Sequence, residues 1–174
     1  MVTFVHGNIF ESSAQVITNP VNCVGVMGAG LALLFKNKFP AMFEDYKVLC
    51  KNKSVIPGKP YLWENDQVQV LNFPTKRHWQ DQSLLKDIED GLQYLASHYE
   101  EMGLQSLALP PLGCGLGGLN WPDVRSLIEK HLGPLSDLEV YVYEPNDAAK
   151  SLKDPNQAKP NELSKRDDFA ASPS

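Results

Sequence analysis

The chain has 174 residues, 43% of them hydrophobic and 21% charged, which suits one globular domain with a core of its own. The formal charge of −5, from 16 basic and 21 acidic side chains, disfavours a non-specific duplex-DNA binder, which needs an excess of Lys and Arg. No apolar run approaches the roughly 18 residues of a membrane-spanning helix, and Met1–Val5 lacks the basic-then-apolar order of a secretory signal. From the N-terminus, Val2–His6 alternates as a strand closed by Gly7-Asn8, and Ala14–Thr18 reads as a second strand ended by Asn19-Pro20. Leu31, Leu34 and Phe35 predict a helix from near Ala29 to before Pro40, and Met42, Phe43, Tyr46 and Leu49 continue the helical spacing. Tyr61–Trp63 and Val68–Asn72 predict a hairpin. Residues 81–101 predict a long amphipathic helix through Leu84, Leu85, Ile88, Leu92 and Leu95. Ser106–Leu109 is a nearly all-apolar strand of the kind covered on both faces. Asn120 is the expected cap of a helix through residue 132, with Asp123 as its capping-box partner, and Leu138–Tyr143 is the last strand. The order β-β-α-β-β-α-β-α-β implies a three-layer α/β/α domain with a central mixed sheet.

Composition divides the chain. Residues 1–145 hold 11 basic and 16 acidic side chains, and residues 146–174 hold 5 of each with a single aromatic, Phe169. The second segment lacks the apolar area to offset its ordering entropy and is expected to be a flexible polar tail. Three cysteines, Cys23, Cys50 and Cys114, show no C-x-x-C spacing. A disulfide framework and a zinc knuckle are not indicated, no metal is expected, and a reduced cytoplasm is the simplest compartment.

Two glycine-rich loops carry the chemistry. Val24-Gly25-Val26-Met27-Gly28-Ala29-Gly30 and Pro110-Pro111-Leu112-Gly113-Cys114-Gly115-Leu116-Gly117-Gly118 each lie between a strand and a helix. Such loops can lay backbone N–H groups against an anion, backed by a helix N-terminus, at the strand ends where α/β sheets bind ligands. Neither fits G-x-x-x-x-G-K-[ST], and neither is followed by the acidic residue of a Rossmann fingerprint. Two loops at equivalent strand ends favour a diphosphate-sized ligand over two tight turns without function.

The runs Thr18–Ala32 and Leu109–Trp121 resemble the two ligand loops of the macrodomain family. Together with Thr75-Lys76-Arg77-His78-Trp79, they look most like its DarG branch, antitoxins that remove ADP-ribose from DNA, and the related terminal ADP-ribose protein glycohydrolases. The resemblance covers residues 1 to about 145. It implies an ADP-ribose cleft with no other cofactor. Gly7, Asn8 and Ile9 would meet the adenine, where many family members carry Asp in place of Asn8; Tyr143 would pack near the adenine or ribose, or simply fill the sheet edge. Asn22, Gly28, Ala29 and Gly30 would surround the distal ribose. Gly113, Cys114, Gly115, Leu116, Gly117, Gly118 and Leu119 would wrap the diphosphate, and Met27, Leu31, Thr75 and Pro111 would be further ligand-binding residues. Lys76, with Asn22, would be catalytic: as an amine attacking the ring-opened ribose to form a Schiff base, or acting electrostatically or as a proton carrier. The amine role needs a lowered lysine pKa, which burial beside Arg77 would supply. Gly117 stands where the terminal glycohydrolases carry Asp, which favours DNA-linked over carboxylate-linked substrates. Arg77, His78 and Trp79 suit a nucleic-acid edge, Arg77 as a phosphate partner and Trp79 as a stacking face. Cys23 and Cys114 read as small packing residues, since no spacing sets His6 or His78 beside either.

The function implied is a hydrolase that frees nucleobases, thymidine in single-stranded DNA, from ADP-ribose, opposing an ADP-ribosyltransferase toxin of the DarT kind. A phosphatase of ADP-ribose 1″-phosphate and a non-catalytic ADP-ribose reader are the alternatives. The domain is expected to be a monomer with no membrane partner.

Overall fold

The computed structural model describes residues 1–146; the expected tail lies, from residue 147 onward, outside the described residues. Six strands form one sheet in the order β1-β6-β5-β2-β4-β3. They are β1 (Val2–Val5), β2 (Val16–Val21), β3 (Tyr61–Glu64), β4 (Gln69–Pro74), β5 (Ser106–Leu109) and β6 (Glu139–Tyr143). The first five neighbours in that order are parallel, and β3 pairs antiparallel with β4 as the hairpin required. Helices α1 (Gly30–Lys38) and α2 (Pro40–Lys51) belong to one packing layer, and α3 (Leu85–His98) and α4 (Trp121–Leu132) to the other. The core is accordingly double. Phe35, Met42 and Tyr46 pack with Ile17 and Val70 on one face; Ile88, Leu92, Leu95, Val124 and Ile128 pack with Leu71, Phe73, Leu107 and Leu109 on the other. No described helix is long and apolar enough to cross a membrane.

Four details depart from the sequence reading. A short 3-10 turn, Ile9–Glu11, follows β1. β2 does not stop at Asn19-Pro20 but runs through both to Val21. Past Ile17 it pairs with β4 alone, so the missing Pro20 N–H falls on a side without a partner strand. Asn19 is fully buried, donating through Nδ2 to Asn72 Oδ1 at 3.0 Å across the β2–β4 pair. The third helix begins at Leu85, not residue 81, because residues 78–84 turn back on themselves and onto the second glycine loop. Asn120 does precede α4, but its side chain makes no capping bond, so the capping box with Asp123 is not formed.

Candidate active site

The topology places the candidate residues together. Chain direction in the five parallel strands puts the carboxyl ends of β1, β2, β4, β5 and β6 along one edge. There follow, in turn, Gly7–Ile9, the first glycine loop, the Lys76 loop, the second glycine loop, and Tyr143. Between β2 and β5 the order switches: from β2 the chain passes to α1 and α2 on one face, from β5 to α4 on the other. The two glycine loops leave neighbouring strands in opposite directions and open a crevice between them, the place where open α/β sheets bind ligands.

The first loop is shaped by Asn22. Its Oδ1 accepts from Val24 N at 3.0 Å and Val26 N at 3.4 Å, and its Nδ2 donates to Val26 O at 2.7 Å. The Tyr46 hydroxyl reaches in from α2, 2.7 Å from Asn22 Oδ1 and 2.8 Å from Asn22 O. Burial pushes that hydroxyl's pKa well above the ordinary range, so it stays a donor. Asn22 is itself 8% exposed, and its second Nδ2 proton has no partner among the described residues. Met27 is turned into the core at 1% exposure, so its side chain supports the loop and does not line it. Gly28, Ala29 and Gly30 are exposed at the mouth of α1, whose N-cap, Ala29, carries no side-chain cap. Gly30 has φ +58° and faces Leu116, whose Cδ1 would lie 3.5 Å from a Cβ there. The tips of the two loops therefore meet over the crevice.

The second loop is folded by its own backbone. Cys114 N donates to Pro111 O, Gly118 N to Gly115 O and Leu119 N to Gly113 O. The N–H groups of Gly113, Gly115, Leu116 and Gly117 donate to nothing among the described residues, the arrangement an anion requires. Glycine at 113 is demanded by φ +72°. At 117 it is demanded by space: a Cβ would lie 2.2 Å from Ser83 Oγ and 2.5 Å from Gly113 O. No carboxylate could be carried there without rebuilding the loop.

Lys76 lies half-buried at the end of β4, its N–H on Val21 O and its Nζ 3.3 Å from the Trp79 carbonyl. Thr75, 6% exposed, pins the loop through its N–H to Val21 O at 2.8 Å, so its side chain is a support. Arg77 does not sit as expected. Its Nε and Nη2 donate at 3.0 and 3.1 Å to the two oxygens of Asp87 in α3, a hydrogen bond and charge that hold the guanidinium protonated above its ordinary value. Its charge is thus compensated and its fork engaged, so it is neither an open phosphate partner nor a bare cation beside Lys76. Trp79 is 49% exposed with its ring stacked on His78, centroids 5.6 Å apart, so it does not anchor the loop on α3.

At the other end of the crevice, Asn8 Oδ1 accepts from Phe10 N at 3.0 Å, capping the 3-10 turn, while its exposed Nδ2 has no partner among the described residues. Ile9 is 5% exposed, so only its backbone can meet a ligand. Tyr143 is half-buried against the cluster that contains Ile9. Cys23 is buried enough to push its thiol up to about 11, with Cys50 and Asp87 adding to the rise. That is the opposite of an activated nucleophile. No group of three His, Cys, Asp or Glu that could hold a metal occurs among the described residues. Two surface concavities, of about 730 and 530 Å³, sit at the opposite edge of the sheet, beside Ser106 and Glu139 and beside Gln15 and Gln69. Sequence reasoning missed Tyr46, Ser83 and Asp87. Only Tyr46 left a signal, a hydroxyl at a helical core position.

The family model of the macro domain matches residues 18–128, which include the carboxyl end of β2, both glycine loops and Lys76. The chain belongs to the macrodomain family. This macrodomain is 41% identical over 149 residues to a DNA ADP-ribosyl glycohydrolase of Thermus aquaticus, covering 83% of this chain and 41% of that protein. Among solved structures it is similar to the macrodomain of Mycobacterium tuberculosis DarG, with TM-score 0.81 and 39% identity over 84% of this chain and 99% of that one. It is also similar to Thermosipho africanus DarTG in complex with ADP-ribose, with TM-score 0.77 and 39% identity, covering 84% of this chain and 43% of that one. The macrodomain spans less than half the length of the curated relatives it matches at 37–41% identity.

Proposed function

We propose that this macrodomain is an ADP-ribosyl glycohydrolase that frees a nucleobase, thymidine in single-stranded DNA, from ADP-ribose. The observation that carries the reading is the convergence of two glycine loops and Lys76 on one switch-point crevice, in a chain about 40% identical to proteins named for that activity. The unpaired N–H groups of the second loop take the diphosphate. Asn8 and Tyr143 frame the adenine, and Gly28–Gly30 with the remaining Asn22 proton take the distal ribose. Lys76, three residues from the exposed Trp79, faces the bond between that ribose and the base. Hydrolysis breaks this bond, adds water at the anomeric carbon and returns a proton to the base. Lys76 assists either as an amine adding to the ring-opened sugar or as a cation against the developing charge. The absence of room for a carboxylate at Gly117 favours a base-linked over a carboxylate-linked substrate. The biological setting that fits is reversal of a DNA-modifying ADP-ribosyltransferase toxin, by a monomer in a reducing cytoplasm.

Lys76→Ala tests the reading against an oligonucleotide bearing ADP-ribosyl thymidine, followed by mass. The expected result is retained ADP-ribose binding with release lost. Release from DNA by neither wild type nor variant, with phosphate freed from ADP-ribose 1″-phosphate, would make it a phosphatase. Binding without turnover of either substrate would make it a reader.

A further inference from the structure

Arg77 follows the candidate catalytic lysine, yet its side chain turns away from the crevice mouth to Asp87 in the first turn of α3. The Asp87 side chain is 4% exposed, against 58% for Arg77. A carboxylate so buried is costly unless paired, and a bidentate fork meets that need with a fixed geometry. The direction of Arg77 is therefore set by α3. The Arg77 backbone is equally committed: its carbonyl accepts from Cys23 N at 3.3 Å, at the start of the first glycine loop. Just ahead of α3, Ser83 N donates to Gly117 O at 3.0 Å, and the Ser83 side chain fills the space under Gly113 and Gly117. The N-terminal end of α3 thus touches the Lys76 loop through Asp87 and the second glycine loop through Ser83, while the Arg77 carbonyl ties in the first.

We propose that Arg77 and Asp87 are positioning residues, whose ion pair sets the Thr75–Trp79 loop against both glycine loops and so aims Lys76 at the distal ribose. The proposal rests on the glycohydrolase reading for what Lys76 is aimed at, and on geometry alone for the aiming. It replaces the role of Arg77 as a nucleic-acid phosphate contact. A phosphate would have to compete with a buried carboxylate already holding two of the five guanidinium N–H groups.

The test uses the full chain with Arg77→Lys, Asp87→Asn and the double variant. Lysine keeps the charge and loses the fork; asparagine keeps the shape and loses the charge. Four quantities are read: ADP-ribose affinity by calorimetry, single-turnover release from an ADP-ribosylated oligonucleotide, salt dependence of oligonucleotide binding, and backbone hydrogen exchange over residues 75–79. The expected result is release slowed by roughly tenfold or more in each single variant, with ADP-ribose affinity within about twofold of wild type. The double variant should be no slower than the slower single, as for one shared interaction. Exchange over 75–79 should quicken in both singles, and the salt slope should not change. A salt slope reduced by about one in a further variant that removes the charge, Arg77→Ala, with Asp87→Asn releasing at the wild-type rate, would restore the phosphate contact and overturn the proposal. Unchanged exchange over 75–79 would overturn it also, whatever the activity. If the wild type binds ADP-ribose but releases none, the glycohydrolase reading fails by itself, and exchange still decides the positioning.

Discussion

Gly117→Ala is the sharpest single perturbation of the crevice. The added methyl would stand 2.2 Å from Ser83 Oγ, 2.9 Å from Ser83 Cβ and 2.5 Å from the Gly113 carbonyl. A flexible side-chain tip could swing aside, but two of these three neighbours are not tips. Ser83 is also tied by its own N–H to Gly117 O, so the loop must shift as a unit. Overpacking of this kind costs about 1–3 kcal/mol. For a domain near 150 residues that is roughly 2–12 °C in melting temperature, at about 2–4 °C per kcal/mol. The shift falls on the N–H groups assigned to the diphosphate, so ADP-ribose affinity should drop by roughly tenfold or more, since about 1.4 kcal/mol corresponds to tenfold. Adding Ser83→Gly removes the Oγ and Cβ contacts and leaves the Gly113 carbonyl, so the double variant should recover only part of the loss. Calorimetric titration with ADP-ribose and thermal melting read both quantities. Wild-type affinity in Gly117→Ala, or full recovery in the double variant, would refute the claim that backbone crowding fixes this loop.

Three further outcomes are expected. Tyr46→Phe leaves Asn22 without its hydroxyl donor, so the first loop should loosen; stability should fall by about 1–2 kcal/mol and ADP-ribose affinity with it, measured by denaturant unfolding and calorimetry. Trp79→Ala should weaken binding of an ADP-ribosylated oligonucleotide by about 1–3 kcal/mol per stacked base while leaving free ADP-ribose unaffected, as a paired titration would show. Burial raises the Cys23 thiol from 9.0 to about 11, so at pH 8 its reactive thiolate is about a thousandth of the total, against about a tenth for an ordinary thiol. Alkylation of Cys23, followed by peptide mapping, should climb about tenfold per pH unit to about pH 11; a plateau near pH 9 would contradict that burial.

What was legible in the sequence is what backbone chemistry forces into residue type. Glycine at 113, 117 and 30 is required by φ or by close approach, and such requirements show as motifs without any structure. β5 is legible for a similar reason, since a strand covered by helices on both faces must be apolar throughout. The failures concern residues whose role depends on a distant partner. Asn19-Pro20 looks like a turn because local propensity says so, and it is a strand because Asn72 lies opposite. Arg77 looks like a phosphate ligand because its neighbours suit nucleic acid, and it is paired because Asp87, ten residues on, arrives buried at the start of α3. Asp87 has no local signature, since an acidic residue in a first helical turn is ordinary.

The charge of the chain takes on a different meaning once Arg77 is paired. Of the three residues expected to form a nucleic-acid edge, Arg77 has its charge compensated by Asp87, and His78 accepts the Gln80 N–H through Nδ1. The Trp79 ring faces outward beside the paired guanidinium, which is itself exposed. An overall charge of −5 and a stacking surface whose guanidinium is already paired with Asp87 would give little hold on unmodified DNA. Selectivity would then come from the mark itself, if the diphosphate is caught, as proposed, by uncharged backbone N–H groups of the second glycine loop. Binding of a modified oligonucleotide should therefore depend on salt only weakly compared with a protein gripping several phosphates. A steep salt dependence would place the contacts on the backbone of the strand instead of on the ADP-ribose.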